Sequence, residues 1–429
     1  MSQVLDRTQA PQASSFRHIP LPAVEQIKLS NGIPVYFLPY GTADVIEVQA
    51  ICRGGSNFQA RSGIAKFSMQ NMVEASMHHN SLELAQELDA YGSWLGQQAE
   101  EECLALTLAT ISKNLKHTLH LFREVLTEPA YSSEEFNTLK TRTLQKMHVA
   151  EQKTSHKASR SFRKQLFGGD HPYGLSFGSA ELEMIELEEL KAYYNSYINT
   201  ANLKLLVTGK YDQEACLGLL EKEFGSLKIE GSIPPELTLP EVAPQGGRFL
   251  TEQEGMQSSL RLGHLGMSRA HPDYYGMQVV NTILGGYFGS RLMHNIREEK
   301  GYTYGIYSGW LGLKHNGFFV VQADIGNEYV EATITEVKKE MRLLCEEGVG
   351  EEELQLVKNY MLGQGISQRE TPFQLGDLLR FSLSMGISFE EIDRKFQLID
   401  GISASEVQRL AQVYLKPDSL SEIVVGKPV

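Results

Sequence analysis

The sequence predicts an α+β fold made of two homologous α/β sandwich halves, and three observations carry that expectation. The chain has 429 residues, more than one hydrophobic core of ordinary size usually serves. A stretch rich in proline and glycine lies near its middle. The segments on either side of that stretch repeat one another.

The central stretch, residues 229–247, holds four of the fifteen prolines, at 234, 235, 240 and 244. Proline fixes φ and removes a backbone donor, so neither a helix nor a central strand can run through it. The expected division is a tail at 1–20, a first repeat at 21–228, a linker at 229–246 and a second repeat at 247–429.

The repeat shows in two places. Residues 189–197 read as a helix and 203–210 as a turn into a buried strand. Their echo is 406–414 and 420–427, with Glu, Tyr, Leu, Val and Gly-Lys in register at a shift of about 217. The same order recurs where 122–126 and 134–140 parallel 340–344 and 352–358. Leu115, Leu119, Phe122 and Leu126 stand at helical spacing, and Ser132 with Glu135 is placed to cap the next helix. Strand patterns fall at 35–38, 45–52, 103–110, 304–310 and 317–324. Strands in runs, followed by helices in runs, favour an α+β sandwich over a doubly wound parallel sheet.

Composition narrows the function. With 41% hydrophobic and 22% charged residues the chain is of ordinary globular type. Forty Lys and Arg against fifty-three Asp and Glu give a formal charge of −13, which repels a phosphate backbone and disfavours nucleic acid as a partner. Cys52, Cys103, Cys216 and Cys345 lie far apart with no C-x-x-C pair, so a zinc ribbon is excluded and a disulfide framework is not expected. The first nineteen residues contain no apolar run of signal-peptide type, and no window approaches ~18 consecutive apolar residues. The expectation is a cytoplasmic protein with no membrane partner.

The residues Arg53-Gly54-Gly55-Ser56, then 63–76 and 87–93, resemble the pitrilysin/insulysin metallopeptidase family, which includes the mitochondrial processing peptidases. The likeness runs from about Ile27 to Gly426, in the two-repeat length. It implies a clamshell of the processing-peptidase or cytochrome bc core-protein kind. In that family an inverted motif, His-x-x-Glu-His, places two zinc ligands and a general base on one helix. Here the three positions are Lys66, Met69 and Gln70, while Gly63, Ala65 and Phe67 are kept. The family's third ligand, a Glu further on, falls at Gln145 or Lys146. An ammonium, a thioether and a carboxamide form a poor zinc shell and leave no base to take a proton from water. The expectation is no metal and no cofactor in this chain.

Other histidines do not rebuild the site. His117 and His120 stand at i, i+3 and His78 and His79 are adjacent. Neither pair has a partnered Glu at helical spacing that would complete a site, so surface or helix-packing roles are expected.

The second half carries residues similar to the family's C-terminal motif: 281–292, then Ile296-Arg297-Glu298-Glu299-Lys300-Gly301-Tyr302-Thr303-Tyr304. The resemblance implies that Arg297 and Tyr304 bind the scissile carbonyl and stabilise its oxyanion at a zinc site across the chamber. A guanidinium and a phenol can donate to developing negative charge without losing a proton. Read as residues alone, Arg297 is a solvated helix residue beside Glu298 and Glu299, and Tyr304 a core strand aromatic. Gly285 and Gly286 are candidates for substrate contact. By pattern they also read as a helix stop, because no Gly-Lys-Ser/Thr follows and a helix precedes them. The run Glu100-Glu101-Glu102 reads as a solvated strand end, or less readily as an acidic chamber wall.

The sequence thus leads to a non-catalytic subunit that lends Arg297 and Tyr304 to a homologous partner bearing the intact motif and zinc, with a peptide as substrate. The alternative is a peptide-binding or scaffold protein, alone or as a homodimer.

Overall fold

The structure, a computed structural model, describes residues 20–243 and 246–427; the expectations for the first nineteen residues fall outside that range. The first half runs β1 (Glu25–Lys28), β2 (Pro34–Pro39), β3 (Val45–Arg53), α1 (Ile64–Met72), α2 (Ser81–Ala90), β4 (Trp94–Ala99), β5 (Cys103–Ile111), α3 (Leu115–Thr127), α4 (Ser133–Glu151), α5 (Thr154–Phe167), α6 (Ser179–Glu183), α7 (Leu187–Tyr197), β6 (Lys204–Gly209) and α8 (Gln213–Phe224). The second runs β7 (Gly247–Glu252), β8 (Gln257–Gly266), α9 (Tyr274–Asn281), β9 (Thr303–Gly312), β10 (Gly317–Gly326), α10 (Val330–Glu346), α11 (Glu351–Ser367), α12 (Pro372–Met385), α13 (Glu391–Gly401), α14 (Ala404–Tyr414) and β11 (Ser421–Gly426). No described residue between α8 and β7 is helix or strand.

Two sheets result, ordered β1-β2-β6-β3-β5-β4 and β7-β11-β8-β10-β9. Without β1 they are the same sheet twice. The pairs β2·β6 and β7·β11 are parallel, and every other corresponding pair is antiparallel. The segments that echo in sequence are α7 with β6 and α14 with β11, then α3 with α4 and α10 with α11. Ser132 caps α4, its hydroxyl accepting from the Glu135 N–H, which satisfies one of the donors a helix start leaves open.

Four strands lie beyond the sequence expectation. β1, β4 and β7 are sheet edges, where half of each strand's hydrogen bonds face outward and apolar patterning is weak. β8 is central, yet it buries Ser258, Ser259, Arg261 and His264 between its leucines, so it reads as polar. Arg261 is tolerated because its guanidinium donates to Ser159 Oγ (3.2 Å) and the Ser155 carbonyl (3.3 Å).

Those two serines belong to α5, a helix of the other half. Ala158, Phe162, Leu166 and Phe167 of α5 pack on Phe318, Val320, Ile423 and Val425 of the second sheet. Reciprocally, Leu375 and Leu379 of α12 pack on Leu38, Ile51, Cys103 and Leu206 of the first. α5 and α12 occupy corresponding places in the repeat, so each half lends the other one helix. A sheet with two apolar faces must be covered twice, and the exchange supplies the second cover. Close approach is enforced at Gly263, where a Cβ would lie 1.9 Å from the Phe319 carbonyl oxygen and 2.7 Å from Phe162.

The acidic run does not behave as a solvated strand end. Glu100 meets Arg380 of α12 (3.3 Å) and Glu101 meets Arg163 of α5 (3.8 Å). Glu102 is buried, accepts from Asn57 Nδ2 (2.8 Å) and faces His315 Nε2 (3.3 Å) of the second half. The three carboxylates tie the first half to the exchanged helices and to the opposite β9–β10 turn, partners that are remote in sequence.

Candidate functional site

α1 starts at Gly63, whose φ of 93° is left-handed. A Cβ there would strike the Phe177 ring at 2.0 Å, so the entry to the helix requires glycine. From this start Ile64, Ala65, Phe67, Ser68, Met69, Asn71 and Met72 turn inward, Lys66 is exposed and Gln70 half-buried. Lys66 and Gln70, at i and i+4, share one helical face. Across from them α4 presents Leu139, Arg142, Thr143, Lys146, Met147 and Ala150, again at helical spacing.

Between these faces lies a cavity of about 360 Å³, also bordered by Glu74, Gln97 of edge strand β4 and Phe177. The structure therefore brings Lys66, Gln70 and Lys146 together. Gln145 is exposed and does not line the cavity, so Lys146 is the residue of that pair that stands with the others. Met69 does not line it either, being only 1% exposed within the first half's core. Arg142 pairs with Glu74 at 2.8 Å. Two ammonium groups, an amide and a guanidinium make no zinc shell, since they offer neither an imidazole nor a free carboxylate. No group of three or more His, Cys, Asp or Glu among the described residues could hold a metal ion. A second cavity, about 350 Å³, adjoins the first through Lys66 and Phe177. A larger one of about 690 Å³, bordered by Tyr194, Ile198 and Lys228, contains none of the motif residues.

The four histidines considered from the sequence are engaged elsewhere. His79 Nδ1 meets Glu124 at 2.8 Å, and that hydrogen bond raises its pKa. His78 pairs with Glu128 and His120 with Glu223, and His117 stacks on Tyr91 with ring centres 5.2 Å apart.

In the second half α9 runs on through a π-turn, Thr282–Gly286, which ends at Tyr287. Gly285 backs onto β9, and a Cβ there would sit 2.6 Å from Ser308 Oγ. That glycine is explained by helix–strand contact. At Gly286 the nearest neighbours would be Asn281 and Thr282, from 3.1 Å. A further π-helical segment, Met293–Glu299, carries Arg297. Its guanidinium lies 4.5 Å from the Phe288 ring centre and 5.9 Å from that of Tyr304, with Glu298 at 3.7 Å. Tyr304, the second residue of edge strand β9, is 90% exposed, so it is not a core aromatic. Phe288, 59% exposed, completes the stack; no motif singled it out, although it lies inside the glycine-rich segment. The pair of cation and phenol is thus preassembled at the surface, on the other half from the Lys66 cavity.

The fold is a duplicated α+β clamshell, and neither of these two sites offers a set of side chains suited to zinc. Residues 185–361 match the family described as the peptidase M16 inactive domain. An uncharacterized zinc protease of Rickettsia bellii is 22% identical over 92% of this chain and 96% of its own. In three dimensions the chain is similar to the peptidase M16 inactive domain from Pseudomonas fluorescens (TM-score 0.85, 23% identity, 95% and 98% of the two chains). It is also similar to a chain of complex III2 from Candida albicans (TM-score 0.79, 16% identity, 94% and 96%). Over residues 185–361 and in its whole fold the chain is thus similar to proteins of the M16 peptidase family. Among the described residues no helix is long and apolar enough to cross a membrane.

Proposed function

We propose that this chain is the non-catalytic subunit of a two-chain zinc peptidase in the cytoplasm. It binds peptide and directs Arg297 and Tyr304 to the reacting carbonyl in a homologous partner that carries His-x-x-Glu-His and the zinc. The observation that carries the reading is the contrast between the two halves. By the resemblance Lys66, Met69, Gln70 and Lys146 stand where the family has its metal site, while Tyr304 is exposed and half-buried Arg297 is held in one stack with it and Phe288. Neither has a role in the core. Both donate hydrogen bonds without needing to ionise, which suits an oxygen that gains negative charge.

The test is gentle purification from the source cell followed by native mass spectrometry and a peptidase assay. The expected result is a heterodimer whose activity needs both chains and is lost to a chelator. Arg297→Ala or Tyr304→Phe then lowers turnover by a factor on the order of 100, as loss of one oxyanion donor does. Unchanged turnover in both variants overturns the assignment. The likeness in fold to a complex III2 chain favours a second reading, a scaffold without cleavage. A homodimer or monomer with no chelator-sensitive activity would support it.

A further inference from the structure

The cavity that replaces the metal site carries its own chemistry. Its charged border is Lys66, Lys146, Arg142 and Glu74. Glu74 is taken by Arg142, whereas Lys66 and Lys146 have no carboxylate or hydrogen-bond partner among the described residues. This occurs in a chain where acids outnumber bases by fifty-three to forty. Gln70 adds an amide whose Oε1 is buried without a partner, and turning that amide presents a donor instead. Thr143 and Gln97 complete a polar border, while Leu139, Val73, Met147 and Phe177 supply apolar wall. Two unpaired ammonium groups at one concave surface are a site for an anion with an apolar neighbour. The adjoining cavity, reached past Lys66 and Phe177, leaves room for the rest of an extended ligand.

We infer that Lys66 and Lys146, with Gln70, form a carboxylate-binding site that takes the C-terminal carboxylate of a bound peptide. The choice of a peptide rests on the function proposed above; the carboxylate chemistry does not. The family's Zn²⁺ position is thereby kept positive while hydrolysis is given up.

The experiment uses the full chain and three labelled short neutral peptides: one with a free C-terminus, its C-terminal amide, and that amide with one internal Glu. Fluorescence anisotropy should show the free acid binding about tenfold tighter than the amide, the scale of a hydrogen bond to a charged group. The Lys66→Met/Lys146→Met double variant should bring the two within twofold, and Lys66→Arg/Lys146→Arg should restore the difference. Rescue of the amide by the internal Glu would assign the site to an acidic side chain in place of the chain end. In parallel, propionate is titrated at constant ionic strength into protein labelled at methionine methyls. The Met147 resonance should shift saturably in the native chain and not in the Met double variant. If neither peptide binds but propionate moves Met147, the carboxylate site stands and the peptide-binding function falls. If acid and amide bind equally and Met147 stays still, the function stands and this site falls. If nothing binds, both fall.

Discussion

Glu47 on β3 offers a direct measure of how firmly the exchanged helix α12 holds the first sheet. Its side chain is 4% exposed on the face that α12 covers, and a Cβ at Gly376 of α12 would come within 3.1 Å of its Oε1. Burial, outweighing the Gln49 hydrogen bond, raises its pKa from 4.5 to about 7. The unfolded chain, with the ordinary value, gives up this proton first. Between the two values the folded state binds more protons, so stability falls as pH rises from about 4.5 to about 7 and then levels off. A shift of about 2.5 units at 1.36 kcal/mol per unit corresponds to about 3 kcal/mol at pH 8, and less than 1 kcal/mol at pH 5. Glu47→Gln keeps the shape and the acceptor for Gln49 Nε2 but removes the charge. Chemical denaturation at pH 5 and pH 8 should find the variant about 3 kcal/mol more stable than the native chain at pH 8 and nearly equal at pH 5. Identical pH dependence in the two proteins would refute the reasoning, because it would mean that Glu47 is hydrated and α12 does not seal the sheet.

The same exchange can be tested from the other side. Phe162 of α5, 2% exposed and with its ring centre 6.1 Å from that of Phe318, should cost about 3–5 kcal/mol when changed to Ala. Denaturation midpoints equal to the native value would show that α5 does not hold the second sheet. Metal removal should do nothing to the isolated chain. With no group of His, Cys, Asp and Glu able to hold a metal ion among the described residues, a chelator should leave the melting temperature unchanged, and a chelator-dependent drop would reveal a site.

Much of this protein can be read from its sequence because the relevant signals are local. Proline clustering marks the 229–246 segment, and helical spacing with caps marks α3 and α4. The duplication is visible because α7-β6 and α14-β11 keep the same residues in the same order. The reading of Lys66, Met69 and Gln70 against the family's zinc motif is equally local, since the three need only be read in place. What only the tertiary structure decided depends on partners remote in the chain. An amphipathic helix shows that it has an apolar face but not which sheet receives it, so nothing in α5 or α12 announces the exchange between halves. β8 reads as polar because Arg261 finds its acceptors on α5, and the acidic run reads as solvated because Arg163, Arg380 and His315 lie far along the chain. The choice between Gln145 and Lys146 turns on which face of α4 meets α1. The exposure of Tyr304, on a strand that buries Ile306 and Trp310, is likewise a fact of the tertiary structure rather than of composition.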